Sequence, residues 1–326
     1  MCCAENGPAV HSCIMKYESK GKRVKVQMKY IDREGKITTE DSGQDKLLKW
    51  MYTHSVGRGM IRLFVHPAVS KAGGWLLERK WSRCLIRPFI KRNQIDISGC
   101  VKQEFYSYND FFTRQMKPEC RLPEGDERTL ISPCDGKLSV YPITQENGER
   151  SSFCIKNTSY TVESLLRSEK LASYYEGGTA CIFRLTVDDY HRYCYVDDGW
   201  KSANCHIPGI FHTVNPIAND VVPIYKENTR EFSLLESRHF KTILMMEVGA
   251  LMVGRITNYH EECEVKKGQE KGRFEFGGST VILLFQKGAV KIDERLIENT
   301  ENGFETIVRM GERIGECGKT SGIQNY

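Results

Sequence analysis

The chain has 326 residues, 40% of them hydrophobic and 10% aromatic, enough to bury a substantial core and too apolar for a disordered polymer. Its thirteen cysteines are scattered through a mid-sized chain rather than spaced as the disulfide framework of a small secreted domain, which points to reducing, cytosolic surroundings. No Cys-x-x-Cys pair occurs and only Cys2 and Cys3 are adjacent, so no metal site is expected.

Residues 1–27 carry Cys2, Cys3, Cys13 and the run Lys20, Lys22, Arg23, Lys25 without hydrophobic periodicity. They are expected to form a disordered leader, with Met28 as the start of the protein proper.

Residues 28–106 are expected to be a basic helical region that contacts membranes. Between Gln44 and Arg92 eleven Lys or Arg face only Asp45 and Glu78, a local charge of +9, so the remainder carries −4 of the net +5. Three of the four tryptophans, Trp50, Trp75 and Trp81, lie in this stretch among leucines, isoleucines and phenylalanines. On a helical projection Leu77, Trp81 and Leu85 share one face while Arg79, Arg83 and Arg87 follow the same step on another, the layout of an interfacial amphipathic helix. Gly57, Pro67, Gly73, Gly74 and Pro88 are expected to break the segment into short helices, and no run reaches the ~20 apolar residues of a spanning helix. The alternative is a helical cap whose arginines face water. Nucleic acid is not expected as a partner, because the balance of the chain is acidic.

Residues 107–326 form the expected catalytic core. From Leu130 onward, short β-prone runs (Lys137–Tyr141, Thr179–Val187, Val281–Phe285, Ala289–Ile292) alternate with turn residues, so the fold class is α+β with a mostly antiparallel β core. Asn302-Gly303 reads as a hairpin turn.

Three places could carry chemistry. Phe274 to Phe285 reads FEFGGSTVILLF, where two glycines give Ser279 the backbone freedom that an attack on its own preceding carbonyl requires; Gly-Gly-Ser is also an ordinary turn. His191, in Asp189-Tyr190-His191-Arg192, falls just past an expected strand end, where a base for Ser279 could sit. Asp135, in SPCDG, stands in a turn from which it could orient a histidine, though a plain Asp-Gly turn accounts for it equally.

Taken in order, YNDFFTRQMKPECR (108–121), SPCDG (132–136), DYHR (189–192), HTVNP (212–216), NTR (228–230), VGALMVG (248–254) and the 267–285 segment resemble the phosphatidylserine decarboxylase family. The resemblance implies a self-cleaving, pyruvoyl-dependent enzyme whose charge relay falls on Asp135, His191 and Ser279. It implies that His191, oriented by Asp135, takes the Ser279 proton; the oxygen attacks the Gly278 carbonyl, the peptide becomes an ester, and elimination releases the Gly278 carboxylate. Hydrolysis of the resulting dehydroalanine, with loss of ammonia, leaves a pyruvoyl group at residue 279. That group would decarboxylate phosphatidylserine to phosphatidylethanolamine without pyridoxal phosphate or metal.

The β chain (1–278) and α chain (279–326) are expected to stay associated, at the cytoplasmic side of the cell membrane as a peripheral protein, with homo-oligomerisation left open. Two positions depart from the family pattern. Cys194 stands where many members have a second histidine, so the relay is placed on His191 with the Cys194 thiol as an accessory donor, and Gly277 replaces a frequent leucine. The alternatives are a pyruvoyl-dependent decarboxylase of a free amino acid such as tryptophan, or a non-catalytic lipid-surface binding protein.

Overall fold

The computed structural model describes residues 28–40, 50, 54, 57, 67–146, 149–155, 158–210, 212–213, 224–250, 255–275, 277 and 279–318. The expected leader at 1–27 and most of the basic stretch before Pro67 lie outside them, as does Gly278.

Ser279–Phe285 (STVILLF) is an unbroken β-branched, aliphatic and aromatic run with every residue buried, and such a run belongs at the centre of a sheet covered on both faces. It pairs antiparallel with Thr242–Gly249 on one side and Thr179–Leu185 on the other. Gly136–Pro142 and Glu305–Val308 continue the sheet antiparallel beyond Thr179–Leu185. Met28–Ile31 then pairs in parallel with Glu305–Val308, and Ile37–Glu40 forms the edge. On the opposite flank stand Arg230–Ser237, Gly199–Lys201 and Cys263–Val265. The mostly antiparallel α+β reading therefore holds, while residues 28–40 form a hairpin on the core sheet where helix was expected.

Register decides where the site lies. Ser279 pairs with both Gly249 and Leu185, and Lys137 pairs with Arg184, so four strand ends converge at one end of the sheet. Gly136 opens its strand so close to its neighbour that a Cβ there would stand 2.9 Å from the Arg184 carbonyl oxygen, and glycine is what permits the approach.

A smaller antiparallel sheet of Ile256–Asn258, Glu270–Phe274 and Arg192–Cys194 is tied to the large one by a fully buried ion pair. Lys271 Nζ donates to both Glu247 carboxylate oxygens at 2.8 Å and to Asn258 Oδ1 at 2.9 Å. Burial pushes the Glu247 carboxyl up and Lys271 opposes it.

Two sequence expectations need correction. Asn302-Gly303 is no hairpin turn: Asn302 caps the helix Glu294–Glu301 and Gly303, at φ +79°, follows it. This is the common glycine ending of a helix. Residues 77–87, projected on one amphipathic helix, are divided between elements, and Gly73 and Gly74 do not break the helix that holds them. The helix Pro67–Leu77 runs through Gly73 and Gly74 and ends at Leu77; a 3-10 turn follows at Lys80–Leu85, then the helix Ile86–Asn93. Pro88 is accommodated because it falls in the first turn, where the missing N–H is not needed. Leu77 is half-buried, whereas Trp75, Leu76, Trp81 and Leu85 are exposed, and the Arg79 guanidinium lies 4.1 Å from the Trp75 ring centroid.

The buried pair yields a stability test. Lys271→Met should leave Glu247 buried without its cation and cost about 3–5 kcal/mol, whereas Glu247→Leu combined with Lys271→Met should recover most of the loss. Urea unfolding reads both; equal destabilisation by the single and double replacements would contradict this account.

Candidate active site

Ser279 begins the central strand, and its buried hydroxyl finds no hydrogen-bond partner among the described residues. Gly277, two residues before it, has φ +132°, a conformation that favours glycine.

His191 reaches the same sheet end by two tethers. It lies a short turn beyond Leu185, the partner of Ser279, and its carbonyl oxygen accepts from Phe274 N at 2.9 Å, five residues before Ser279. The ring is buried under Phe112, with centroids 3.9 Å apart. His191 Nδ1 stands 2.9 Å from the Asp189 backbone carbonyl; a carbonyl only accepts, so Nδ1 carries the proton and Nε2 the lone pair. Nε2 is buried without a partner. Burial lowers the His191 pKa to about 3, partly opposed by the charge of Asp189 and reinforced by Arg114, so the ring is neutral across the physiological range.

Asp189 is held firmly. Its Oδ2 accepts from Lys137 Nζ at 2.7 Å, Thr186 N at 2.7 Å and Thr186 Oγ1 at 2.9 Å. Burial raises its carboxyl, but Lys137 and these hydrogen bonds outweigh burial and keep it below the usual range.

Asp135 does not touch His191. Its carboxylate takes a two-pronged contact from Arg121, Nε to Oδ1 at 3.1 Å and Nη2 to Oδ2 at 2.8 Å, and a third from Met310 N at 2.9 Å. Burial pushes this carboxyl up, against the pull of Arg121. The reason for the separation is in the backbone: Cys134 bridges Tyr193, and Cys194 N donates to Pro133 O at 2.8 Å. The Asp135 segment thus runs along Tyr193 and Cys194 and not along His191. Cys194 is itself buried, its thiol pushed up to about 12 by that burial, so at neutral pH it is neither base nor nucleophile.

Two other motif segments buttress Ser279 from behind. Asn228 Oδ1 accepts from His212 N, and Asn228 Nδ2 donates to the carbonyls of His212 and of Gly249, each at 2.8 Å; Gly249 is the residue paired with Ser279. Arg230, fully buried, fills its donors with the carbonyls of Leu165, Lys226, Asn228 and Ser164 at 2.7–3.1 Å.

A serine hydroxyl and a neutral imidazole nitrogen, both buried and both idle at one sheet end, fit a proton transfer confined to the chain itself. The model of the family described as phosphatidylserine decarboxylase matches residues 108–316. Phosphatidylserine decarboxylase proenzyme 2 of Clostridium acetobutylicum is 45% identical over 270 residues, covering 82% of this chain and 91% of that one. The proenzyme of Clostridium perfringens is 43% identical over 276 residues (83% and 92%), and that of Clostridium botulinum 38% over 294 (88% and 99%). The chain belongs to the phosphatidylserine decarboxylase family.

Within this family member, the residues that sequence reasoning passed over are Asp189, whose backbone carbonyl and not its side chain selects the tautomer, and the arginines Arg114 and Arg121. Both arginines lie in the 108–121 motif, so the motif was visible although its use was not.

Because the folded pKa of His191 lies below the ordinary 6.5, the unfolded chain takes up this proton first, and His191 withdraws stability as pH falls from about 6.5 toward about 3. Nitrogen NMR of an uncut Ser279→Ala chain should show the Nδ1–H tautomer of His191 persisting from pH 8 down to about 4. A midpoint near 6.5 would mean that the ring is hydrated and the proposed burial incorrect.

Proposed function

We propose that this chain is a phosphatidylserine decarboxylase proenzyme that cuts itself between Gly278 and Ser279. The observation that carries the reading is the idle pair: a buried Ser279 hydroxyl and the lone pair of a tautomer-fixed His191. In this reading His191 Nε2 removes the Ser279 proton as the oxygen attacks the Gly278 carbonyl. The imidazole is a weak base at this depth, so transfer and attack are concerted, which a single event per molecule tolerates. The peptide becomes an ester; loss of the Ser279 α-proton expels the Gly278 carboxylate, and addition of water with loss of ammonia leaves a pyruvoyl group at residue 279.

The residues present fit that group. Ser279 is its source, and the buried surroundings exclude water. When formed, it supplies the electron sink for loss of carbon dioxide from phosphatidylserine. His191, a neutral imidazole at the site, is able to hand a proton to the carbon that carbon dioxide leaves. Asp135 acts as a positioning residue: through Arg121, whose guanidinium lies 5.6 Å from the Tyr190 ring centroid, it braces the turn that ends in His191.

Peripheral attachment to an anionic membrane surface belongs to the same reading. Trp75, Leu76, Trp81 and Leu85 are exposed among Arg79, Lys80, Arg83 and Arg87, which suits a headgroup interface. No helix among the described residues is long and apolar enough to cross a membrane. The cytoplasmic leaflet is the side we assign, from the basic charge and the unpaired cysteines.

Ser279→Ala should give one uncut chain without decarboxylase activity, and His191→Ala the same, while Cys194→Ala should still cut. Intact mass of the wild type should reveal a 48-residue fragment, residues 279–326, blocked at its N-terminus by a pyruvoyl group; a free serine there, or an uncut chain that releases carbon dioxide from phosphatidylserine, would sink the proposal. For the membrane surface, a chain starting near Gln103 should lose salt-sensitive flotation with anionic liposomes. Flotation equal to that of the full chain would remove the helical segment from that role.

A further inference from the structure

We infer that Arg114 is a binding residue for a phosphate oxygen anion, and that its occupant is the phosphodiester of the lipid headgroup; this rests on the decarboxylase reading above. Arg114 is only 6% exposed, yet its Nε and Nη1 have no hydrogen-bond partner. Its remaining contacts are long ones from Nη2 to the carbonyls of Asp188 (3.5 Å) and Asp189 (3.4 Å). Among the described residues no carboxylate lies within ion-pair distance of it: nearby Asp135 and Asp189 are taken by Arg121 and Lys137.

The other deeply buried cations show what a structural role looks like. Arg230 spends its donors on four backbone carbonyls, Lys201 donates to Ser202 O at 2.7 Å and Glu261 O at 3.2 Å, and Lys271 has Glu247. An uncompensated buried guanidinium is costly, and an apolar residue of similar size would serve packing better. Arg114 is also fixed in place: Arg192 donates from Nε to the Thr113 and Arg114 carbonyls at 3.0 and 3.1 Å, and the Phe111 ring centroid is 5.1 Å from the guanidinium.

Position identifies the ligand. Arg114 Nη2 and His191 Nδ1 point at the same Asp189 carbonyl oxygen, so the open guanidinium sits beside the imidazole assigned to proton transfer. The serine headgroup offers two anions there. A cation clamped on the carboxylate would stabilise the charge that decarboxylation removes and so oppose the reaction. The phosphodiester, four bonds from the amine nitrogen, is carried unchanged from substrate to product, and a planar guanidinium matches it. Both donors are closed to solvent in the uncut chain, so the assignment concerns the cut, substrate-bound enzyme.

The test uses matured enzyme with phosphatidylserine in detergent micelles. Glycerophosphoethanolamine should bind in calorimetry and inhibit competitively, while ethanolamine and inorganic phosphate at equal concentration inhibit far less. Arg114→Gln should raise KM about tenfold or more with kcat changed much less, and abolish binding of glycerophosphoethanolamine; Arg114→Lys should retain part of both. Unchanged KM and binding in Arg114→Gln overturn the inference, as does equal inhibition of the wild type by ethanolamine. Inhibition by inorganic phosphate as strong as by the phosphodiester assigns the site to free phosphate instead and overturns the headgroup assignment. If Arg114→Gln stays uncut, Arg114→Lys and the wild-type inhibitor series decide. A wild type that binds glycerophosphoethanolamine but never decarboxylates phosphatidylserine refutes the function and leaves the anion site standing.

Discussion

The backbone carbonyl of Asp189 is the point on which the candidate site depends. It accepts from His191 Nδ1 at 2.9 Å and faces Arg114 Nη2 at 3.4 Å, and its residue is locked by Lys137 and Thr186 through the side chain. A side-chain carboxylate in that place would stabilise a protonated imidazole; a neutral carbonyl selects the tautomer without supplying a charge. The ring therefore stays neutral, with its lone pair unengaged at Nε2. Since Lys137 lies on the strand Gly136–Pro142, paired with Thr179–Leu185, the position of the imidazole is tied to the main sheet and not to a free loop.

The same economy of partners bears on the unsatisfied polar atoms of the site. Buried hydroxyls and ring nitrogens are nearly always paired, and an orphan costs on the order of 1–3 kcal/mol. Ser279 Oγ and His191 Nε2 are orphans at one sheet end, as are Arg114 Nε and Nη1, while their neighbours are paired: Asn228 completes His212 and Gly249, Arg121 completes Asp135, and Lys271 completes Glu247. Strain of this kind persists where the scaffold over-determines it. Ser279 is placed by the most buried strand of the fold, with register fixed on both sides, and its hydroxyl cannot relax toward water.

Much of the fold was legible because its signals are local and periodic. Val281 to Phe285 has no reading but a buried strand, and the 137–141 and 179–187 runs are bounded by turn residues, so the antiparallel core followed from pattern alone. Motif context singled out Ser279 and His191, and both are buried in the fold. What failed was what only tertiary packing determines. Asn302-Gly303 carries hairpin chemistry, but a helix precedes it and glycine serves there as the helix terminator. The projected face of Leu77, Trp81 and Leu85 assumed one continuous helix, and the change to a 3-10 turn after Leu77 rotates Trp81 and Leu85 outward. The Asp135 to His191 contact was expected from the chemistry of relays, which says nothing of register. Pairing of Cys134 with Tyr193 shifts the aspartate along the strand toward Cys194.

That shift decides what stands beside Asp135. An aspartate beside a histidine at the Cys194 position would have an imidazole to pair with; beside a protonated, buried thiol it has none, and Arg121 takes both of its oxygens. Asp135 is therefore half of an ion pair with Arg121, whose guanidinium lies against Tyr190, and on the proposed mechanism His191 serves both the cutting of the chain and the later proton delivery. Such a histidine must not be captured by a carboxylate in either phase, because a salt-bridged imidazolium would hold its proton. Placement against the Asp189 carbonyl meets that requirement, and the pairing of Cys134 with Tyr193 keeps Asp135 out of its vicinity.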